Sequence, residues 1–154
     1  MAIELDDIDR QILNQLQLDS SITIKALAEM LCLTTTPVHE RIKKLEKEGI
    51  IKKYVALLDQ KKIDQNLIVY ISISLKNHSR SYLEKFVREV NAFQEISECY
   101  HIAGSFDYLL KAQLKDMEAY QQFILSKLSV NTNIDQVQSS FVLSKNKYST
   151  ALVV

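Results

Sequence analysis

The stretch from Ile22 to Ile51 constrains the fold of this chain more than any other. It holds two runs of apolar residues at the spacing of amphipathic helices, separated by a few polar residues. Thr23 and Thr34 stand where helix N-caps are expected, and Gly49 follows the last apolar position, where helices commonly end. Two short helices joined by a tight turn predict a helix-turn-helix. The apolar positions are Ile24, Leu27, Ala28 and Leu31 in the first helix, then Val38, Ile42 and Leu45 in the second.

A further helix is predicted upstream of this motif, and an extended segment downstream. The upstream helix has apolar residues at helical spacing: Leu5, Ile8, Ile12 and Leu16. Residues 50–58 are β-branched, aromatic and aliphatic, which predicts a short wing and a connecting strand. The polar run 59–66 marks a domain boundary. We therefore expect a winged helix-turn-helix domain over 1–52, a connecting strand and linker over 53–66, and a second domain over 67–154.

Charge is distributed unevenly along a chain whose formal net charge is zero. Residues 1–33 carry two basic and six acidic side chains, a net charge of −4. Residues 34–53 carry six basic and three acidic side chains, a net charge of +3. The positive charge thus lies on the second helix of the motif and just after it, where a recognition helix and wing would meet DNA phosphates.

The second domain has the pattern strand, helix, strand, strand, helix, strand, an α+β arrangement of the ferredoxin-like βαββαβ type. Strands are predicted from residue 67 to 75, 95 to 103, 106 to 114 and 134 to 144. The stripe of the first helix is Leu83, Phe86, Val87 and Val90, and that of the second, capped by Asp116, is Met117, Tyr120, Ile124 and Leu128. Both helices are expected on one side of the sheet. The other face holds apolar groups that a second copy of the chain is expected to cover.

Several kinds of protein and of site are excluded or disfavoured by the sequence. Cys32 and Cys99 form no CxxC pair and stand in apolar runs, so buried free thiols are expected. Cys99 and His101 lack the second ligand pair that a tetrahedral metal site needs, so no metal is expected. The N-terminus has no apolar signal-peptide core, and no apolar run approaches the roughly 20 residues of a membrane span. We therefore expect a soluble, cytoplasmic protein with no membrane partner.

Three motifs together identify a family. The chain resembles the leucine-responsive/AsnC (Lrp/AsnC, feast/famine) family of bacterial and archaeal transcription regulators over nearly its whole length. It departs from many members at two places. At Ile63-Asp64 they carry a linker glycine, and at Ala103 they carry threonine or serine. The second difference bears on ligand contacts. The matching motifs are Leu5-Asp6-x-x-Asp9-x-x-Ile12-Leu13-x-x-Leu16, Leu33-Thr34-x-x-Pro37-Val38-x-x-Arg41-Ile42-x-x-Leu45-Glu46-x-x-Gly49-Ile50-Ile51 and Ala103-Gly104-x-x-Asp107-Tyr108-Leu109-Leu110-Lys111.

The resemblance implies a winged helix-turn-helix followed by a ligand-sensing (RAM/ACT-like) domain. It implies dimers built through the C-terminal sheets, often assembled into octamers as tetramers of dimers. It also implies that small effectors, typically amino acids, bind in the C-terminal region at subunit interfaces and alter assembly or DNA binding, with no other cofactor.

The expected DNA contacts lie on the second helix of the motif and in the wing. A recognition helix presents its N-terminal half to base edges, where Glu40 can accept from a cytosine amino group and His39 can donate to a purine. Arg41 flanks that helix and suits a phosphate, but it equally suits a salt bridge to an acidic residue of the first helix. For all the expected DNA-binding residues, the alternative is that they form an ordinary solvated helix face. The expected DNA-binding residues are Thr34, Thr35, Thr36, Pro37, His39, Glu40, Arg41, Lys43, Lys44, Lys52 and Lys53.

The expected effector site lies around Gly104 and Asp107. The Asp107 carboxylate can receive the ammonium of an amino acid, and the backbone at Gly104 can approach a ligand closely. A turn-stabilising or interface role is the alternative for Asp107. The resemblance places residues 138–140 beside the ligand. The full expected set is His101, Ile102, Ala103, Gly104, Asp107, Leu109, Gln138, Ser139 and Ser140.

These observations predict a sequence-specific transcription regulator, nucleoid-associated in the cytoplasm, whose assembly or DNA affinity responds to a small effector. Catalysis is not expected, because the three histidines are scattered and no nucleophile set or phosphate loop recurs. An architectural protein that wraps DNA with little effector control is the alternative. The sequence does not identify the effector or the target genes.

Overall fold

The structure is a computed structural model and describes residues 4–154. Five α-helices and four strands are found in this range, together with one 3₁₀ turn and one π-helical turn. The helices are α1 Asp7–Leu18, α2 Ile24–Met30, α3 Thr35–Lys47, α4 Arg80–Asn91 and α5 Met117–Phe123, and the strands are β1 Leu67–Leu75, β2 Ile96–His101, β3 Tyr108–Leu114 and β4 Ile134–Phe141. No helix between residues 4 and 154 combines the length and apolar character that crossing a membrane requires.

The chain divides into two compact units. One comprises the chain up to Leu57 together with Lys147–Val154, and the other is Leu58–Asn146. The last eight residues therefore belong with the first unit, although we expected them in the second domain, 67–154. The backbone of Leu152 holds them, since its N–H donates to Gln17 Oε1 at 2.6 Å and its carbonyl accepts from Gln17 Nε2 at 3.0 Å. Such tertiary hydrogen bonds leave no periodic signal in the sequence.

The first unit is the predicted three-helix fold. Asp6 caps α1, and its side chain and that of Asp9 form a reciprocal capping box. Thr23 caps α2 as expected, whereas the Thr34 side chain makes no capping hydrogen bond at α3. The three apolar stripes meet in one core of Ile12, Leu13, Leu27, Ala28, Val38, Ile42 and Leu45.

The chain after α3 does not form the expected strand. Gly49 ends the helix with φ 72°, a left-handed conformation that glycine adopts without steric cost. Within the described residues, 50–58 pair with no strand and have no regular structure. The apolar residues of this segment include Tyr54, Val55, Leu57 and Leu58, which are exposed. A segment of strand-forming composition needs a hydrogen-bonded partner to become a strand, and this unit supplies none.

The second unit is the predicted ferredoxin-like fold, with the four antiparallel strands in the order β2-β3-β1-β4. The core lies between the sheet and α4, α5 and the π-helical turn. Alternate residues of β1 and β3 face it, because successive side chains of a strand point to opposite faces. They are Val69, Ile71, Ile73 and Leu75 from β1, and Tyr108, Leu110, Ala112 and Leu114 from β3.

The last helix differs in detail from the prediction. α5 ends at Phe123 and continues as the π-helical turn Ile124–Leu128, so its buried stripe includes Phe123. Met117, expected inward, is 54% exposed, because it is the first residue of the helix and contact with the core begins at Ala119. The strand β4 ends at Phe141 rather than at residue 144.

Two residues other than glycine, Cys32 and Asp64, adopt the left-handed backbone conformation. Both bear on what the sequence led us to expect. Cys32 has φ 54° and is exposed, not buried, because it lies in the turn that follows α2. Asp64 has φ 55° after the 3₁₀ turn Gln60–Ile63, in the linker where the resemblance led us to expect glycine. Aspartate is one of the few residues that tolerate this conformation. Cys99 is half-buried, and burial raises the pKa of its thiol.

Candidate DNA-binding and effector sites

The exposed face of α3 carries the predicted base-reading residues. Thr35, Thr36, His39, Glu40 and Lys43 are all exposed. They lie opposite the buried side of the helix, which faces the core of the first unit. The helical period of 3.6 residues produces this separation, so one side of α3 packs and the other is free to enter a groove.

Arg41 takes the alternative role considered for it. Its Nη1 donates to Asp6 Oδ2 at 2.6 Å and to Asp9 Oδ1 at 2.7 Å, at the start of α1. The hydrogen bonds to these carboxylates raise the pKa of Arg41. The pKa of Asp6 is lowered, first by the backbone N–H of Asp9 and then by Arg41. Arg41 therefore connects α3 to the N-terminus of α1, because its guanidinium is bound by Asp6 and Asp9 of the same unit.

A small polar cluster that sequence reasoning missed links α3 to the segment after it. Glu46 accepts from Lys43 Nζ at 3.2 Å and from the Tyr54 hydroxyl at 3.0 Å. Lys43, followed by Tyr54, lowers the pKa of Glu46. The spacing of Lys43 and Glu46 on one helix was the available signal, whereas Tyr54 enters only through the path of the chain.

The remaining predicted DNA contacts surround this face. Thr34 is exposed at the N-terminus of α3, and Pro37 is half-buried in its first turn, where a missing N–H costs little. Lys44, Lys52 and Lys53 are exposed. Lys44 lies on the helix whose polar face is open, and Lys52 and Lys53 lie just after it.

In the second unit, the loop of residues 102–107 forms the corner between β2 and β3. Gly104 has φ 145°, and no atom lies within 4 Å of the position of an added Cβ. The conformation, rather than lack of space, therefore favours glycine there. The backbone of Asp107 closes the corner, since its N–H donates to Ile73 O and its carbonyl accepts from Ile102 N–H, both at 2.9 Å.

The Asp107 carboxylate is engaged within the chain. Its Oδ2 accepts from the Leu75 N–H at 2.7 Å, and its Oδ1 lies 2.9 Å from His78 Nε2. Burial raises the pKa of Asp107, but the Leu75 and His78 hydrogen bonds outweigh it and hold the pKa below its ordinary value. The turn-stabilising role considered for Asp107 is thus present. His78 was not predicted, and no sequence pattern indicates it.

The other predicted effector residues do not share one surface. Leu109, Gln138 and Ser140 lie on the sheet face away from the helices, since Leu109 and Gln138 both pair with Ser72 of β1. Ser139 pairs with Ile71 on the helix side and accepts from the Tyr120 hydroxyl at 2.7 Å.

His101 also lies on the helix side. It stacks on Tyr108 with ring centroids 4.8 Å apart. Ile102, Ala103 and Gly104 belong to the loop itself. Three consecutive strand residues such as 138–140 cannot all face one ligand, because strand side chains alternate.

Comparison with known proteins decides the family. The model of the Lrp/AsnC ligand-binding domain matches residues 68–152, and that of a winged helix-turn-helix DNA-binding domain matches residues 5–52. The chain belongs to the Lrp/AsnC family. It is 38% identical over 150 residues to the DNA-binding transcriptional activator DecR of Escherichia coli K12, covering 97% of this chain and 99% of that protein. It is 36% identical over 151 residues to the leucine-responsive regulatory protein of the same organism, covering 98% and 92%.

Solved structures of Lrp/AsnC-type regulators have the same fold. A Neisseria meningitidis transcriptional regulator in complex with L-Met superposes with a TM-score of 0.93 at 34% identity, covering 97% of this chain and 96% of that one. An AsnC family transcriptional regulator from Agrobacterium tumefaciens superposes with a TM-score of 0.92 at 38% identity, covering 96% of each chain. The predicted α+β fold, winged helix-turn-helix plus βαββαβ domain, is confirmed.

The family establishes the general function of this Lrp/AsnC protein. It is a DNA-binding transcriptional regulator with a ligand-binding domain, and this favours effector control over a purely architectural role. The two relatives are a transcriptional activator and a regulatory protein, which is consistent with the expected absence of catalysis. Within residues 4–154, no group of three histidine, cysteine or acidic side chains could hold a metal ion.

Proposed function

We propose that this protein binds specific sequences of double-stranded DNA through α3 and that an amino acid modulates this binding. The observation that carries the proposal is the exposed polar face of α3 opposite its buried stripe, in a chain whose residues 68–152 match a ligand-binding domain. The N-terminal half of α3 is assigned to base edges, with His39 donating to a purine and Glu40 accepting from cytosine. Thr34, Thr35, Thr36, Pro37 and Lys43 line the same entry to the groove.

Lys44, Lys52 and Lys53 are assigned to phosphates, because all three are exposed cations next to the reading face. Arg41 is left out of this set, since its guanidinium is held by Asp6 and Asp9. Phosphate contacts position the protein without reading sequence. They also release condensed counterions, which makes binding depend steeply on salt.

The test of this assignment is the salt dependence of DNA binding. Titrating DNA from upstream of the protein's own gene at several salt concentrations should give a linear fall of log affinity against log salt. Lys44→Ala should reduce the slope by about 0.9, the value for one neutralised phosphate, equally on specific and nonspecific DNA. Lys85→Ala is the matched control, because Lys85 is an exposed lysine of α4. A wild-type affinity independent of salt would contradict the proposed DNA interface.

The effector is proposed to be an amino acid bound at the 102–107 corner. One relative is named for its response to leucine, and one solved neighbour holds L-Met. Oδ1 of Asp107 suits the ligand's ammonium, because its partner His78 is an exposed side chain, whereas Oδ2 is anchored by the Leu75 backbone. Ser139 and His101 are left out, since both lie on the helix side, where Tyr120 donates to Ser139 and His101 stacks on Tyr108. The proposed set is Ile102, Ala103, Gly104, Asp107, Leu109, Gln138 and Ser140.

Thermal unfolding with each of the twenty amino acids tests the effector. A ligand at 100 times its dissociation constant should stabilise the protein by about 2.7 kcal/mol. Asp107→Asn should abolish that shift while leaving DNA affinity without amino acids unchanged, because Asp107 lies in the other unit from α3. Ser97→Ala, an exposed position on β2, is the control. An unchanged shift in Asp107→Asn would remove Asp107 from the site.

The protein is proposed to act as a homodimer through the sheet face away from the helices, and as an octamer of four dimers, on nucleoid DNA in the cytoplasm. That face carries the exposed Tyr70 and Tyr100 beside Leu109, and a salt bridge of 2.6 Å between Lys111 and Glu98. It is more polar than the sequence suggested. Two recognition helices per dimer would read half-sites about one DNA turn apart, roughly 34–36 Å.

The solution mass tests the dimer. Wild-type protein should have at least twice the mass of the 17.7 kDa chain. Tyr70→Glu should shift it toward the monomer, because a carboxylate buried at an interface is strongly disfavoured. Tyr82→Glu, at an exposed tyrosine of α4, should leave the mass unchanged. A monomeric wild type would refute the proposed assembly, provided circular dichroism shows that each variant is folded.

A further inference from the structure

The two oxygens of the Asp107 carboxylate have different surroundings. Oδ2 accepts from the Leu75 backbone N–H at 2.7 Å, at the end of β1. Oδ1 faces His78 Nε2 at 2.9 Å, and the His78 side chain is 59% exposed whereas that of Asp107 is 23% exposed. One oxygen is therefore anchored by the fold, and the other is covered by a side chain that lies largely in solvent.

The position of Asp107 does not depend on His78. The Asp107 N–H donates to Ile73 O at 2.9 Å, and its carbonyl accepts from Ile102 N–H at 2.9 Å. Together with the Leu75 contact, these bonds fix both the backbone and the carboxylate. The His78 contact can break without displacing the carboxylate.

The imidazole can leave Oδ1 by side-chain rotation alone. The residue before it is held, since Asn77 N–H donates to Asn133 Oδ1 at 3.0 Å and Asn133 Nδ2 donates to Asn77 O at 3.2 Å. Exposed side chains change rotamer within nanoseconds. The His78 imidazole is thus an exposed donor that can rotate, and the backbone next to it is held at Asn77.

From this geometry we infer that His78 gates the effector site. The imidazole contacts Asp107 Oδ1 at 2.9 Å, so the ammonium of an amino acid competes with it for that oxygen. Because both groups are donors, the ligand gains most from Oδ1 when the ring has turned away. This gate rests on the proposed effector site, and it would regulate ligand binding there. His78 acts here as a competitor of the ligand, not as a support for it.

The carboxylate of Asp107 is a charged acceptor for either donor. The Leu75 and His78 hydrogen bonds outweigh its burial and hold its pKa below the ordinary value. A charged acceptor makes each competing hydrogen bond stronger than a bond between neutral groups.

The other charged groups near the gate have partners elsewhere or act on Asp107 in the same direction. Lys76 Nζ donates to Thr132 O at 3.2 Å, and Arg80 pairs with Glu84 at 2.7 Å. His101 also contributes to the lowered pKa of Asp107. Variants of His78 alone therefore separate the effect of its ring from that of His101.

The experiment measures binding of each of the twenty amino acids by calorimetry. His78→Ala should bind the effector about two- to five-fold more tightly than wild type, the range expected for loss of one exposed polar pair. His78→Gln retains a side-chain donor and should bind with an affinity between those of wild type and His78→Ala. Ser81→Ala, an exposed neighbour on α4, is the control and should match wild type.

The sign of the change decides the role of His78. Unchanged or weaker binding by His78→Ala would show that the ring only supports the loop, which overturns the gate but leaves the effector site intact. Binding by His78→Ala and not by wild type supports the gate. If no amino acid binds either protein, the proposed effector class itself fails, and the gate with it.

Discussion

Replacing Arg41 with alanine is expected to destabilise the DNA-binding unit by about 2 kcal/mol. Arg41 donates to Asp6 and Asp9 from one nitrogen, and the Asp9 side chain is only 6% exposed. Removing one partner of a buried ion pair leaves a charge without compensation, which costs about 3–5 kcal/mol when both partners are fully buried. Because Arg41 is one-third exposed, solvent screens part of this cost and we expect the smaller figure.

Thermal denaturation followed by circular dichroism measures this effect. A destabilisation of about 2 kcal/mol should lower the melting temperature of a unit of this size by roughly 8–16 °C. Lys44→Ala is the matched control, because Lys44 is an exposed cation on the same helix, and it should melt like wild type. If Arg41→Ala keeps wild-type stability but loses salt-dependent DNA affinity, Arg41 serves phosphates after all.

The second large effect is expected from the double substitution His39→Ala and Glu40→Ala. Both side chains are exposed in the N-terminal half of α3, so their removal should leave the core intact. Each good contact to a base edge contributes about 1–3 kcal/mol of discrimination. Removing two such contacts should reduce the preference for the specific site by about 30-fold or more.

The quantity to measure is the ratio of affinities for the upstream DNA and for a scrambled duplex of the same composition, at one salt concentration. Affinity for scrambled DNA should stay equal or rise, because removing Glu40 removes a negative charge near the phosphates. Gln11→Ala, an exposed residue of α1, should keep the wild-type ratio. A ratio preserved in the double variant would show that sequence is read elsewhere or not at all.

The two predictions separate roles that look alike in sequence. Arg41 and Lys44 are both cations on α3, yet the fold ties one to α1 and leaves the other exposed. We therefore expect one to govern the stability of the first unit and the other to govern its attraction to phosphates. The same distinction applies in the second unit, where one oxygen of Asp107 anchors β1 and the other contacts the exposed side chain of His78.

Periodicity and composition determined most of the fold. The helix-turn-helix followed from apolar spacing, from Thr23 and from Gly49, because hydrophobic burial and chain geometry act locally and repeat along each element. Alternation in β1 and β3 predicted the buried face of the sheet for the same reason. The exposed face of α3 could be assigned in advance, since it is the remainder of a helix whose core stripe is known.

The tertiary structure decided the features that join residues far apart in sequence. The partners of Arg41, the Asp107–His78 contact and the docking of Leu152 on Gln17 each span 29 or more residues. Hydrogen bonds and ion pairs of this kind depend on where two segments meet, and no period in the sequence records it. Residues 50–58 show the converse, because a strand-forming composition yields a strand only where the fold brings a partner to its edge.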